Sequence, residues 1–147
     1  MQVPHNSLVL VADGKKMLFF RNEGDATYPN LQVEVAQEQE APATRDQRSD
    51  AAGRASSPQG AAQSAIEQTD YHQQDEDRFA AQAADMLRER ALSGDFESLI
   101  IVAPPRTLGE MRKHYHKAVE QRLAGEIAKD LTGHPVDQIE RIIVAAD

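Results

Sequence analysis

Between Glu38 and Asp77 the chain carries only two larger apolar side chains, Ile66 and Tyr71. The remainder is Ala, Gln, Ser, Asp and similar residues, interrupted by Pro42, Gly53, Pro58 and Gly60. Such a segment cannot bury enough surface to offset the entropy of ordering it. This predicts a long flexible loop over about 40–73, with the flanks 1–39 and 74–147 building one core together. Loop-closure entropy rises slowly with length, so a single domain over 1–147 tolerates the excursion. The charge divides the same way. These forty residues hold nine acids against three Arg, a net of −6, while the whole chain carries −8.

The available core is modest. Ala accounts for 22 of the apolar residues, and 37 are Val, Ile, Leu, Met, Phe or Tyr. That suits one domain. The absence of Cys excludes a disulfide framework, a Cys-ligated zinc site and a thiol nucleophile. No apolar run approaches the roughly 20 residues that span a bilayer. The first residues show neither a charged n-region nor a small-residue cleavage site. The expectation is a soluble cytoplasmic protein, without membrane insertion and without a bound cofactor.

Leu8-Val9-Leu10-Val11-Ala12 is a short continuous apolar run, the pattern of a strand buried on both faces. Asp13-Gly14 separates it from Met17-Leu18-Phe19-Phe20, a hairpin signal because both residues tolerate positive φ. Asn22-Glu23-Gly24-Asp25 makes the next turn. Leu31, Val33 and Val35 alternate with polar residues, as in a strand with one wet face. The chain thus opens as a three-stranded antiparallel meander. Asp75-Glu76-Asp77 then starts a helix, acids being favourable at its positive end. Phe79, Ala83, Met86 and Leu87 follow at helical spacing, and Ser93-Gly94 ends it. Ser98–Ala103 reads as a second buried strand. Pro104-Pro105 starts a helix marked by Leu108, Met111 and Tyr115. Residues 117–131 are ambiguous: Val119, Leu123, Ile127 and Leu131 recur at steps of four, but Gly125 opposes a helix. Gly133-His134-Pro135 breaks the chain before a last helix with Val136, Ile139, Ile142 and Ile143. Strands first, then helix–strand–helix, gives an α/β fold with helices packed on a mixed sheet.

Four blocks, in order, carry a resemblance: Val9–Phe20, Arg78-Phe79-Ala80, Ile100–Lys113 with its Ala-Pro-Pro-Arg-Thr-Leu-Gly-Glu core, and Gly125–Thr132 with Lys-Asp-Leu-Thr. Together they resemble the bacterial host-attachment family, proteins described as required for attachment to host cells. That family is in turn similar to the middle domain of archaeal and eukaryotic class 1 release factors. The resemblance implies a ribonuclease-H-like mixed sheet, a strand at about 121–128, and a mobile loop before a long helix. In those release factors the loop bears Gly-Gly-Gln. Here Gly60-Ala61-Ala62-Gln63-Ser64-Ala65 stands in its place, without the second Gly and with one residue inserted, so it lacks the freedom of two adjacent glycines.

The candidate site residues are few. Arg106, Arg112, Lys113, Lys117 and Arg122 form the one markedly basic stretch, which can meet RNA phosphates or an acidic partner. It can equally be a solvated helix face, since Glu110 and Lys113 are one turn apart. Gln63 is either the remnant of a release-factor tip or one more residue of a Gln-rich loop. Asp13 could be a metal-binding carboxylate of a nuclease, but Ser98–Ala103 offers no second acid, and the turn already accounts for it. His114 and His116 share a face only on a strand and diverge on a helix.

The leading reading is a non-enzymatic, intracellular interaction protein of the host-attachment family, acting through a protein partner and contributing indirectly to attachment to host cells. The alternative is a ribosome- or tRNA-associated release-factor-like module, with Arg106, Arg112 and Lys113 docking and the loop reaching into a site. A metal-dependent nuclease stands last. The net charge opposes non-specific DNA binding.

Overall fold

The computed structural model of the protein describes residues 1–39 and 58–147, and for 58–71 the backbone alone. Strands β1 (Leu8–Ala12), β2 (Lys16–Asn22) and β3 (Leu31–Glu38) form the antiparallel meander. Helix α1 (Pro58–Leu92) leads to β4 (Leu99–Ala103). Helix α2 (Pro105–Arg112) and the single turn α3 (Lys117–Glu120) lead to β5 (Leu123–Ala128), and α4 (Val136–Ala145) follows. The sheet order is β3-β2-β1-β4-β5, with β1/β4 and β4/β5 parallel. The mixed α/β sheet read from the sequence is present, and 123–128 is a strand as the resemblance implies.

The central strands β1 and β4 are buried at every position. Their side chains therefore serve two cores. Leu8, Leu10, Leu99 and Ile101 pack with Phe79, Ala83 and Leu87 of α1, and with Leu108 and Met111 of α2. Val9, Val11, Ile100 and Val102 face the other way, onto Ile139 and Ile143 of α4. This period-2 division makes a three-layer fold from two short apolar runs. Burying each Leu, Ile or Phe contributes about 1.5–3 kcal/mol.

Several local expectations change. Helix α1 begins at Pro58, so residues 58–73 lengthen the helix expected at 75–92. Pro58 suits a first helical turn, and Ala61, Ala62, Gln63 and Ala65 sit in a run where helix-favouring Ala and Gln predominate. Asp75, Glu76 and Asp77 consequently lie mid-helix rather than at its start. The remainder of the expected loop, 40–57, falls outside the described residues. At the hairpin Gly14 does not have positive φ; Gly94 does, at 72°. Gly94 closes α1 with paired bonds, Gly94 N to Ala91 O and Asp95 N to Arg90 O, the double return that an αL glycine permits. Tyr115 lies beyond the end of α2, packed against the core from the connecting turn. The ambiguous 117–131 splits into α3 and β5.

The alternation in β3 is also broken. Phe19 pairs with Val35 and Phe20 with Val33, leaving Glu34 as the extra residue of a β-bulge. Val35 therefore packs on the α1 side while Leu31 joins the α4 side, and Val33 is exposed. The bulge presents Glu34 to Arg21 at 3.3 Å and to Arg90.

Asn22 organises the approach to β1. It is fully buried. Its Oδ1 accepts from Gly24 N and Asn30 N, each at 2.8 Å, and its Nδ2 donates to Val3 O at 2.8 Å. One side chain thereby closes the β2–β3 turn and ties the N-terminal segment to it, leaving no buried polar atom of its own unpaired.

Candidate functional site

In open α/β sheets the loops at the carboxyl ends of parallel strands are the usual binding edge. Here β1, β4 and β5 are adjacent and parallel. Residues 13–15, the start of α2 at Pro105, and residues 129–135 therefore emerge side by side. Helix α1 belongs to the same edge. Its C-terminus feeds the start of β4, so its N-terminal part lies toward the carboxyl ends. A Cβ built on Gly14 would stand 2.6 Å from Glu76 Cγ, which shows how closely α1 passes the hairpin. From Pro58 to Glu76 the helix climbs about 27 Å at 1.5 Å per residue. Gln63 belongs to that stretch, and its side chain is not among those described.

A polar contact at this edge joins the turn after β1 to the segment after β5. Asp13 Oδ1 accepts from Lys15 N and Lys16 N, each at 2.7 Å, which shapes the hairpin loop. Its Oδ2 accepts from the hydroxyl of Thr132 at 2.7 Å. Thr132 is buried and also stands 3.0 Å from Asp130 Oδ1. One hydroxyl has one proton, so it donates fully to one carboxylate at a time. Asp130, Thr132, Gly133, His134, Pro135 and Gln138 line an open cavity of about 370 Å³ beside this contact. No group of three or more His, Asp or Glu suited to a metal is present among the described residues. Asp13 thus holds the turn and a latch to Thr132.

The basic stretch is not one surface. Arg112 faces Glu126 of β5, with Nε 3.2 Å and Nη2 3.1 Å from Oε1. The Glu126 hydrogen bonds raise the Arg112 pKa. Tyr115 Oη donates to Glu126 Oε2 at 3.1 Å, and burial together with that carboxylate pushes the phenol well above its ordinary value. Lys113 Nζ pairs with Glu110 at 2.9 Å, the one-turn pairing foreseen, and that bond lowers the Glu110 pKa. Arg122 donates to two backbone carbonyls, of Phe96 at 3.1 Å and Ala118 at 2.8 Å. Arg106 and Lys117 are exposed and make no side-chain hydrogen bond or ion pair among the described residues. They lie at opposite ends of the sheet, Arg106 just after β4 and Lys117 shortly before β5. His114 lies 3.7 Å from Glu110, and His116 Nδ1 caps α3 by accepting from Ala118 N at 3.0 Å. The histidines are divided between these two tasks.

Asp130 and Thr132 were not singled out as site residues from the sequence. A signal existed, because both lie in the Lys129-Asp130-Leu131-Thr132 block; the meeting of Thr132 with Asp13 across 119 residues did not show. Also missed was a four-charge network at the opposite edge. Arg21 Nη2 and Arg90 Nε each reach Asp95 Oδ2 at 2.8 Å, and both arginines pair with Glu34. Arg90 also stacks 5.5 Å from the Phe19 ring centroid. Burial alone would raise the pKa of Glu34 and Asp95; the hydrogen bonds from the two arginines outweigh it and hold both low. This network pins the bulge of β3 to the end of α1.

No helix among the described residues is long and apolar enough to cross a membrane. Residues 6–143 match the family described as Bacterial archaeo-eukaryotic release factor family 12. The uncharacterized protein RP470 of Rickettsia prowazekii (strain Madrid E) is 40% identical over 50 residues. That alignment takes in 34% of this chain and 33% of the relative, so the chain spans about a third of the curated relative's length.

Proposed function

The chain belongs to the bacterial archaeo-eukaryotic release factor family 12, whose match spans residues 6–143, and from that membership we propose that it is a ribosome-associated release-factor-like module. The match is the observation that carries the reading. It favours the alternative drawn from the sequence over the leading one, since the family is described by its relation to release factors and not by host attachment. The fold agrees with that choice. A mixed sheet supplies a rigid body, and a 35-residue helix passes its carboxyl edge.

In this reading the sheet docks and the N-terminal turns of α1, with Gln63, reach toward a site on the ribosome or a tRNA. Arg106 is a docking candidate at this edge without an ion pair among the described residues. Arg112 and Lys113 would exchange their present carboxylate partners for phosphates on docking; both cations are exposed, while Glu126 and Glu110 are mostly covered, so the exchange carries a cost at the carboxylates. Lys117 would contact the partner only from the far end of the sheet.

Sedimentation of native lysate through a sucrose gradient tests the proposal. The protein is expected in ribosomal fractions, and Gln63→Ala is expected to leave co-migration intact while Arg106→Glu weakens it. Absence from ribosomal fractions under every growth condition would refute the reading and return attention to protein partners.

A further inference from the structure

Among the described residues, the cations left unpaired are not scattered. Side chains are described for thirteen Lys and Arg. Seven sit in ion pairs, and Arg122 is held by backbone carbonyls. Lys15, Lys16, Arg106, Lys117 and Lys129 make no side-chain hydrogen bond or ion pair among the described residues. Four of those five follow the carboxyl ends of β1, β4 and β5. Only Lys117 lies at the other end of the sheet. With strands spaced about 4.8 Å apart, β1 to β5 covers about 10 Å, so these cations rise from three neighbouring chain segments. Helix α2 begins among them behind Pro104, which offers no side-chain cap, and its amide end adds positive potential.

We propose that the carboxyl edge of the sheet is a docking surface for the phosphate backbone of RNA, contacted by Lys15, Lys16, Arg106 and Lys129. The choice of RNA rests on the release-factor-family reading and on what the edge lacks. Protein interfaces centre on buried apolar and aromatic residues. Of the large apolar residues exposed in the structure, Tyr28, Val33, Leu92 and Val144 lie elsewhere, and only Val136 is near. Among the described residues no exposed Phe or Tyr stands there to stack on bases, and His134 is an exposed ring at that edge, so the contact assigned is chiefly to the backbone and largely independent of sequence. Carboxylates among the described residues share the edge and limit its strength. Asp13 is engaged by the turn amides and Thr132, Asp130 faces Thr132, Glu76 lies against Gly14, and Glu38 is the register partner of Lys16. The surface is therefore one of weak, salt-sensitive binding.

Fluorescence anisotropy with a labelled single-stranded oligoribonucleotide over a KCl series tests the assignment on the full chain. Each phosphate contact contributes about −0.7 to the slope of log affinity against log salt, so four give about −3. The slope is expected to fall toward zero when Lys15, Lys16, Arg106 and Lys129 are all replaced by Gln. The milder pair Lys15→Gln and Lys129→Gln is expected to lose about half of it, with an unchanged melting curve certifying the fold. Lys117→Gln is expected to leave affinity and slope as they were. No RNA binding by the parent protein would overturn the assignment. So would an unchanged slope in the fourfold variant, a Lys117→Gln loss as large as the fourfold one, or competition by polyglutamate as effective as RNA. Sedimentation of the same variants separates the two readings. Ribosome association without edge-dependent RNA binding overturns the surface and spares the family reading. Edge-dependent RNA binding without ribosome association does the reverse.

Discussion

Asp13 is where a catalytic and an architectural reading part most sharply, and two substitutions separate them. Asp13→Ala removes three hydrogen bonds of 2.7 Å: from Lys15 N, which is exposed, and from Lys16 N and Thr132 Oγ1, which are partly buried. The exposed bond is readily replaced by water and counts for little. The other two contribute about 1 kcal/mol each, somewhat more because the acceptor is ionised. The expected loss is about 2–3 kcal/mol, or about 4–10 °C in Tm for a chain of this size. Asp13→Asn keeps the turn acceptor, and its amide can donate to the Thr132 hydroxyl, so it should cost less than about 1 kcal/mol. Urea unfolding gives both numbers from the midpoint at constant slope. An Asp13→Ala variant within about 0.5 kcal/mol of the parent would refute the latch. A nucleolytic activity abolished by Asp13→Asn in a folded protein would restore the metal-dependent reading.

The remaining predictions concern the frame of the site. Glu34 and Asp95 have folded pKa values below their ordinary ones, so the stability they contribute is present above a pH of about 4 and lost as pH falls through the folded values. Arg21→Gln should lower Tm at pH 7 and flatten that acid loss; an unchanged Tm-against-pH curve would remove the network from the account. Gly24→Ala would put a methyl 2.4 Å from Tyr28 O and 2.6 Å from Asn30 N, both backbone atoms, and should destabilise by about 1–3 kcal/mol in the same urea assay. Gly109→Ala has nothing within 4 Å of the new methyl and lies inside α2, so it should stabilise by about 0.5–1 kcal/mol.

Much of the fold was legible because it depends on local periodicity. Two five-residue apolar runs can be buried on both faces only in the middle of a sheet, and β1 and β4 are the two central neighbours. Proline pairs and glycine stops mark helix ends through the backbone, which is why Pro105 and Gly94 stand where expected. The turns of α1 before residue 74 were missed because they carry no apolar stripe. Helix propensity there competes with an entropy cost that composition alone does not resolve. The simple alternation of β3 failed because a bulge is set by pairing with β2, a partner that the strand's own residues do not name. At the candidate site, residue types were visible and their pairing was not. The local Lys113–Glu110 pair was legible one turn apart, whereas Arg112 looked available and is matched to Glu126 on another element. Asp13 looked isolated and is joined to Thr132. Sequence by itself determined the class of fold, the two-faced core and the likeness to release factors, while its host-attachment reading gained no support. Tertiary structure decided which charges remain free and which edge they share, because Coulomb pairing depends on distance through space, and parallel crossovers bring together loops more than a hundred residues apart.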